Sequence, residues 1–147
     1  MKALLQRVKE AKVDTEGRPV AKIGKGLLVF LGIERGDTER DFEYLLKKVS
    51  NLRIFEDARQ KMNLSIRDVN GEVLVISQFT LSADCRRGNR PSFDDAEEPE
   101  EAKEMYTKFI DRLKEEGIRV STGEFGSYMQ VYLVNDGPVT IMLDSKK

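Results

Sequence analysis

The run Leu27 to Ile33 constrains this chain more than any other segment. It is continuously apolar apart from one glycine, so it has neither the alternation of a half-exposed strand nor the three-to-four spacing of an amphipathic helix. With Gly26 included it is still far too short to cross a bilayer. It therefore reads as a buried strand, and the β-branched run Val73 to Ile76 reads as a second, central one. Two helices are predicted beside them. In the first, Phe42, Leu45, Leu46 and Val49 make one apolar stripe, and Asp37 is placed to cap it. The second runs from about Glu97 to Glu116. Pro99 suits its first turn, Ala102, Met105, Tyr106, Phe109, Ile110 and Leu113 form its buried face, and Gly117 closes it.

The other segments are short and strand-like. Lys2 to Val13 alternates loosely, Glu16-Gly17-Arg18-Pro19 is a turn, and Val20 to Ile23 is a strand before a tight reversal at Gly24-Lys25-Gly26. Ile54-Phe55 begins an irregular strand region, and Met62-Asn63-Leu64 and Gly71 belong to a hairpin-like stretch. Asp84 to Phe93 is a polar, arginine-rich loop. Tyr128 to Val134 and Val139 to Leu143 are two alternating strands, with Asn135 to Thr140 interrupting them. The pattern predicts an α/β (mixed α+β) fold in one domain over 1–147, with mostly antiparallel β-sheets or barrel-like β-layers flanked by two main helices.

Composition limits the chemistry. The 147 residues include no histidine, so the usual acid–base group at neutral pH is missing. One cysteine, Cys85, and no histidine exclude a standard structural zinc site, and no metal or cofactor is expected. Cys85 reads as a tolerated free thiol, since no histidine can activate it as a nucleophile. Lys and Arg total 25 against 26 for Asp and Glu, a net charge of −1 that gives no global attraction to nucleic acid. RNA contact would have to come from local patches, such as Arg86, Arg87 and Arg90, or Lys146 and Lys147. The N-terminal residues do not resemble a signal peptide, so a cytoplasmic, membrane-free protein is expected.

Two segments stand where strands stop, and such places tend to carry chemistry. At Ser77-Gln78-Phe79-Thr80, successive backbone N–H groups leaving a strand can hold the oxyanion formed when a carbonyl is attacked. The plainer reading is a polar strand end capping its own backbone. In Asn135-Asp136-Gly137-Pro138-Val139-Thr140, Gly137 allows close backbone approach, and the bond before Pro138 can be cis. The plainer reading there is an ordinary hairpin turn.

The combination is more specific than either piece. Val73 to Leu81, Arg90-Pro91-Ser92-Phe93 and Met129 to Thr140 together resemble the D-aminoacyl-tRNA deacylase family. Leu5-Gln6-Arg7-Val8, Gly26-Leu27-Leu28-Val29, Arg53-Ile54-Phe55 and Lys61-Met62-Asn63-Leu64 look like that family too, in the same order. The resemblance implies a homodimer that hydrolyses the ester joining a D-amino acid to the 3′ end of tRNA, with glycine as an additional substrate. It places Gln78, Phe79 and Thr80 in the catalytic group, with the backbone N–H groups of Gln78 and Phe79 as the expected oxyanion donors. Ser77, Gly137, Pro138, Arg7, Met129 and Asn135 fall on the substrate side, Arg7 holding the Gly-Pro motif. The motif is expected to be cis and to enter the partner subunit's pocket as a steric filter against L side chains. No obvious base activates Thr80, so it is expected to position substrate and not to attack it. Two other readings stay open: a small-ester or amide hydrolase using Thr80 or Ser77 with no RNA partner, and a non-catalytic module that binds tRNA ends or dimerises. No DNA partner is expected.

Overall fold

The computed structural model describes residues 1–147. In chain order the elements are β1 (Lys2–Thr15), β2 (Arg18–Ile23), β3 (Gly26–Gly32), α1 (Glu39–Asn51), β4 (Phe55–Glu56), β5 (Met62–Leu64), β6 (Glu72–Ser77), a 3₁₀ turn (Phe79–Ser82), α2 (Pro99–Glu115), β7 (Arg119–Thr122) and β8 (Gln130–Asp144). One mixed sheet dominates. β8, β1 and the β2–β3 stretch pair antiparallel, while β3, β6 and β7 pair parallel. β4 and β5 form a small separate hairpin. No helix is long and apolar enough to cross a membrane.

The apolar run is continuous because both faces of β3 are buried. Leu27, Val29 and Leu31 join a core under the helices, with Phe42, Leu45 and Leu46 of α1 and Phe109 and Leu113 of α2. Leu28 faces the other way, into a second core with Val8, Ala11, Val13, Ile23, Leu74 and Ile76, and no helix contributes to it. The sheet curls around this second cluster in a nearly closed, barrel-like layer. Alternate burial on β6 follows the same logic: Val73 and Val75 one way, Leu74 and Ile76 the other.

The two cores also explain why β1 alternates only loosely. Ala3 and Leu5 face the helices, whereas Ala11 and Val13 face the second core. A shift of one residue exchanges the faces of a strand, and the register with β8 slips by one residue between Val8 and Glu10. The partner strand turns over at the same level. Gly24-Lys25-Gly26 is not a reversal: Val8 faces Gly26 and Ala11 faces Ile23, so β2 and β3 run on as one bent partner of β1. Only glycine fits at 26, because a Cβ there would lie 1.7 Å from the Glu72 carbonyl oxygen.

The C-terminal segment departs most from expectation. In place of two strands around a turn there is one strand, β8, which starts at Gln130 and leaves Tyr128 outside it and 85% exposed. Val131 and Leu133 pack on the second core, and Val139, Ile141 and Leu143 on the first. β8 therefore changes faces across Asn135–Pro138, at the level where β1 does.

Both helices form as their stripes predict. Phe42 and Phe109 meet edge to face at 5.6 Å, and the Arg112 guanidinium bridges to Glu43. The α1 cap is Thr38, not Asp37: the Asp41 carboxylate accepts from the Thr38 N–H at 2.8 Å and from its hydroxyl at 3.0 Å. Asp37 instead accepts from the Glu34 N–H and the Met1 amine.

Candidate active site

β6 delivers Ser77 to the sheet edge, and the chain then tightens into the 3₁₀ turn. The parallel ladder with β3 runs one residue beyond β6. The Gln78 N–H donates to the Leu31 carbonyl at 2.8 Å, so it is not free to serve a substrate as the sequence suggested. The next two donors are different. The 3₁₀ turn is closed by the Leu81 N–H on Gln78 and the Ala83 N–H on Thr80, while the N–H groups of Phe79 and Thr80 meet no protein acceptor. These are the first donors of a helical turn, which have no internal partner by construction. Gly32 lies beneath them, where a Cβ would come 3.0 Å from the Gln78 carbonyl oxygen and 3.2 Å from Leu81 Cβ.

The side chains here are lightly held. The Gln78 amide donates to the Thr80 hydroxyl, and no carboxylate or amine bonds that hydroxyl. Phe79 is 56% exposed, with its ring edge-on to Phe93 at 5.1 Å. β6 is anchored two residues before Ser77: the buried Tyr106 hydroxyl donates to the Val75 carbonyl at 2.9 Å. Burial pushes the Tyr106 phenol up to about 12, against a smaller lowering by the Thr122 hydroxyl.

The Gly-Pro segment is built in the opposite manner. Val8 faces Asn135 and Gln6 faces Thr140, so Asp136, Gly137, Pro138 and Val139 all lie opposite Arg7. The result is a wide bulge, with a cis bond between Gly137 and Pro138. Arg7, only 7% exposed, ties it down from below: Nε donates to the Asp136 carbonyl and Nη1 to the Ile54 carbonyl, both at 2.8 Å. Glu56 stands 3.8 Å from Nη2. Asn135 closes the neck. Its Oδ1 accepts from the Val139 N–H at 2.7 Å, and its Nδ2 donates to the Val139 carbonyl at 3.2 Å and to the Thr140 hydroxyl at 3.0 Å. Gly137 has φ +145°, and a Cβ on it would come 2.8 Å from Val139 Cγ2 and 3.1 Å from Arg7 Nη2.

The structure thus brings Arg7, Asn135, Gly137 and Pro138 together, and Ser77, Gln78, Phe79 and Thr80 together. It does not join the two groups within one chain. Leu31, beside Ser77, faces Ala3, whereas the bulge faces Arg7. Three strand spacings and four residues along β1 separate them by roughly 15–20 Å. Met129 sits with neither group: it packs half-buried on the second core, its sulfur close to Gly123. The carbonyls of Ile54 and Asp136 and the ring of Phe93 are contributors that the sequence did not single out. Main-chain carbonyls carry no residue-type signal, and Phe93 stood in a loop segment that supported the resemblance without being given a role at the site.

A curled mixed sheet with two helices on one face, a strand end with free N–H groups and a clamped Gly-Pro bulge define the class, and the chain belongs to the D-Tyr-tRNA(Tyr) deacylase family, whose model matches residues 4–144. Among individual relatives, a D-aminoacyl-tRNA deacylase of Thermotoga petrophila is 58% identical, covering 100% of this chain and 99% of that protein. A solved structure titled "c-Myc DNA Unwinding Element Binding Protein" superposes with a TM-score of 0.92 at 42% identity, covering 98% of each chain. A second, titled as a probable eukaryotic D-amino acid tRNA deacylase, shares the fold at a TM-score of 0.81 with 16% identity and 97% coverage of each.

Proposed function

We propose that this protein hydrolyses the ester of D-aminoacyl-tRNA, releasing the free amino acid and tRNA. The observation that carries the reading is the adjacent pair of unpaired N–H groups on Phe79 and Thr80, just past the end of β6. As water attacks the ester carbonyl, its oxygen gains negative charge, and two fixed donors receive it. One such donor lowers a barrier of this kind by about 3–4 kcal/mol. An aminoacyl ester is already activated, so modest help suffices in a chain without histidine. The 2′-hydroxyl of the terminal adenosine assists proton transfer. Thr80 holds the substrate through its hydroxyl, with Gln78 orienting it, and Ser77 lines the same strand end.

The proposed filter is the clamped bulge. The Gly137 and Pro138 carbonyls of one copy fill the space where an L side chain would fall in the partner's pocket. A D residue, or glycine with no side chain, still enters, so glycyl-tRNA is a second substrate. The separation of the two groups within one chain supports a homodimer. So does β8, which pairs only with β1 and exposes Tyr132, Val134 and Met142. Met129, packed on the second core apart from both groups, is given no direct contact with substrate. The compartment is the cytoplasm, where charged tRNA is made and used. The net charge of −1 supplies no general pull on DNA, and no DNA partner is assigned.

A time course of deacylation on matched D- and L-aminoacyl-tRNA tests this. Fast loss of the D ester with the L ester intact is expected. Equal rates on both would sink the filter. Activity on free D-amino acid esters that equals activity on charged tRNA would favour the small-ester hydrolase, and binding without turnover would favour the non-catalytic module.

A further inference from the structure

The loop after the 3₁₀ turn is not used by the chemistry above, yet it is built onto it. Asp84 and Ser92 close its base with a reciprocal backbone pair, N–H to carbonyl at 2.8 and 3.0 Å. Phe93 then places its ring on Phe79, the residue whose N–H is a proposed oxyanion donor. Beyond this base, Cys85 to Pro91 is fully exposed, with Gly88 at φ +65° turning the tip. The tip carries Arg86, Arg87 and Arg90 and no acid.

The three arginines are not equivalent. Arg86 folds back on the base, where its Nε and Nη2 both bond the Asp84 carboxylate, so its charge is spent. That pair and the Asp84 bond to the Arg86 N–H stiffen the stalk. Arg87 and Arg90 bond no protein group, and no acid forms an ion pair with either. Asp94 and Asp95 lie beyond the base, and the Asp94 carbonyl accepts from Arg35. Two free guanidiniums on a stiff stalk beside a proposed ester site suit a ligand with several phosphates, since the planar fork matches phosphate oxygens in pairs.

We propose that Arg87 and Arg90 hold phosphates of the tRNA acceptor strand, making Cys85–Pro91 the element that tells charged tRNA from a small ester. This rests on the deacylase reading and deepens it. The chain's balanced net charge is then no obstacle, because the attraction is local and set beside the reacting bond.

The test compares two substrates with the same scissile ester: D-aminoacyl-tRNA and D-aminoacyl-adenosine, which lacks phosphate. An Arg87→Ala/Arg90→Ala variant should lose about tenfold or more in kcat/KM on the tRNA at low salt. The slope of log kcat/KM against log salt should flatten by about 1.4, at about 0.7 for each single-strand phosphate contact. Turnover of the adenosine ester should stay at the parent's level. Arg87→Lys/Arg90→Lys should recover part of the tRNA rate and most of the salt slope. Lys22→Ala/Lys47→Ala removes the same charge from exposed sites elsewhere and should change neither substrate. Unchanged tRNA kinetics in the arginine variant would overturn the proposal, as would an equal loss on both esters or an equal loss in the lysine variant. So would loss of DNA hairpin binding with tRNA turnover intact, which would make the loop a DNA contact. If the parent cleaved the adenosine ester but gained nothing from the tRNA body, this inference alone would fail; a parent that cleaved neither ester would overturn it together with the deacylase reading.

Discussion

The strand end at Ser77–Thr80 and the bulge at Asp136–Val139 both offer main-chain atoms, but their construction is opposite. At the first, two N–H groups have no partner and the side chains around them are loosely tied. At the second, a buried guanidinium and an amide side chain take up the surrounding polar groups, and the bulge is held from below and at its neck. A group that must receive charge has to be left unpaired and still be fixed in place, which the ladder beneath Gln78 achieves. A group that must exclude a side chain has to resist being pushed, so every contact is used for stiffness. In the proposed mechanism, main-chain atoms act in two ways, by being left free and by being pinned.

The largest predicted effect separates the free donor from its side chain. Phe79→Pro removes the N–H and should lower kcat on D-aminoacyl-tRNA by about 10²–10³-fold. Phe79→Ala keeps the N–H, loses only the ring contact with Phe93, and should stay within about tenfold of the parent by the same reasoning. Equal losses in the two variants would show that the ring, and not the donor, carries the rate.

Next comes the pin. Arg7→Ala leaves the carbonyls of Asp136 and Ile54 without their donor, which should cost about 2–4 kcal/mol of stability by denaturant melts. Arg7→Lys keeps the charge but cannot span both carbonyls. It should fold, keep D activity, and hydrolyse L-aminoacyl-tRNA faster than the parent. Asn135→Ala should act in the same direction at about 1–2 kcal/mol, since it frees the neck only. An unchanged D-to-L ratio in Arg7→Lys and Asn135→Ala together would show that stiffness of the bulge has no part in chirality.

How far these two regions were legible in the sequence follows from what holds them. The helices were plain, because Phe42, Leu45, Leu46 and Val49 each bury on one stripe. The positions of both site segments were plain too, since small polar residues interrupt apolar runs there. The unbroken β2–β3 partner and the single β8 were not, because a strand that crosses from one core to the other shows a broken period that looks like a turn. Asp37 and Thr38 are both good caps, and only the pull of Glu34 and Met1 on Asp37 decides between them. The engaged Gln78 N–H was hidden for another reason: nothing in its residue type says that the ladder runs one step past β6. Arg7 was found through resemblance, whereas its two carbonyl acceptors are main-chain atoms that no residue pattern reports.

A smaller effect concerns Thr80. Its hydroxyl is bonded only by the Gln78 amide, so it lacks the base a nucleophile requires. Thr80→Ala should stay active, with a loss of about tenfold or less, as expected for a positioning hydrogen bond. Trapping an acyl ester on Thr80 by rapid quench and mass spectrometry would reverse the assignment and make the free region a conventional nucleophile site.

The smallest effect asks what keeps the free region fixed. Beneath it, the Tyr106 hydroxyl donates to the Val75 carbonyl, which also accepts from the Gly123 N–H. Tyr106→Phe therefore removes one of two donors from a carbonyl that stays satisfied, and at neutral pH it should cost only about 1 kcal/mol. The alkaline side is more telling. Burial raises the folded phenol to about 12 from an ordinary value of 10.0. The unfolded phenol ionises first, so this contribution is present below pH 10 and is lost as pH rises toward 12. Stability of the parent should fall across that window by up to about 2–3 kcal/mol from this group, and the Phe variant should lack that part of the slope. Turnover at neutral pH should be the same in both, because the Gln78 N–H bond to Leu31 holds the strand end by itself. If Tyr106→Phe slowed turnover without changing the melt, the fixing of the free donors would reside in this buried hydroxyl and not in the ladder, and the contrast between the two regions would have to be redrawn around it.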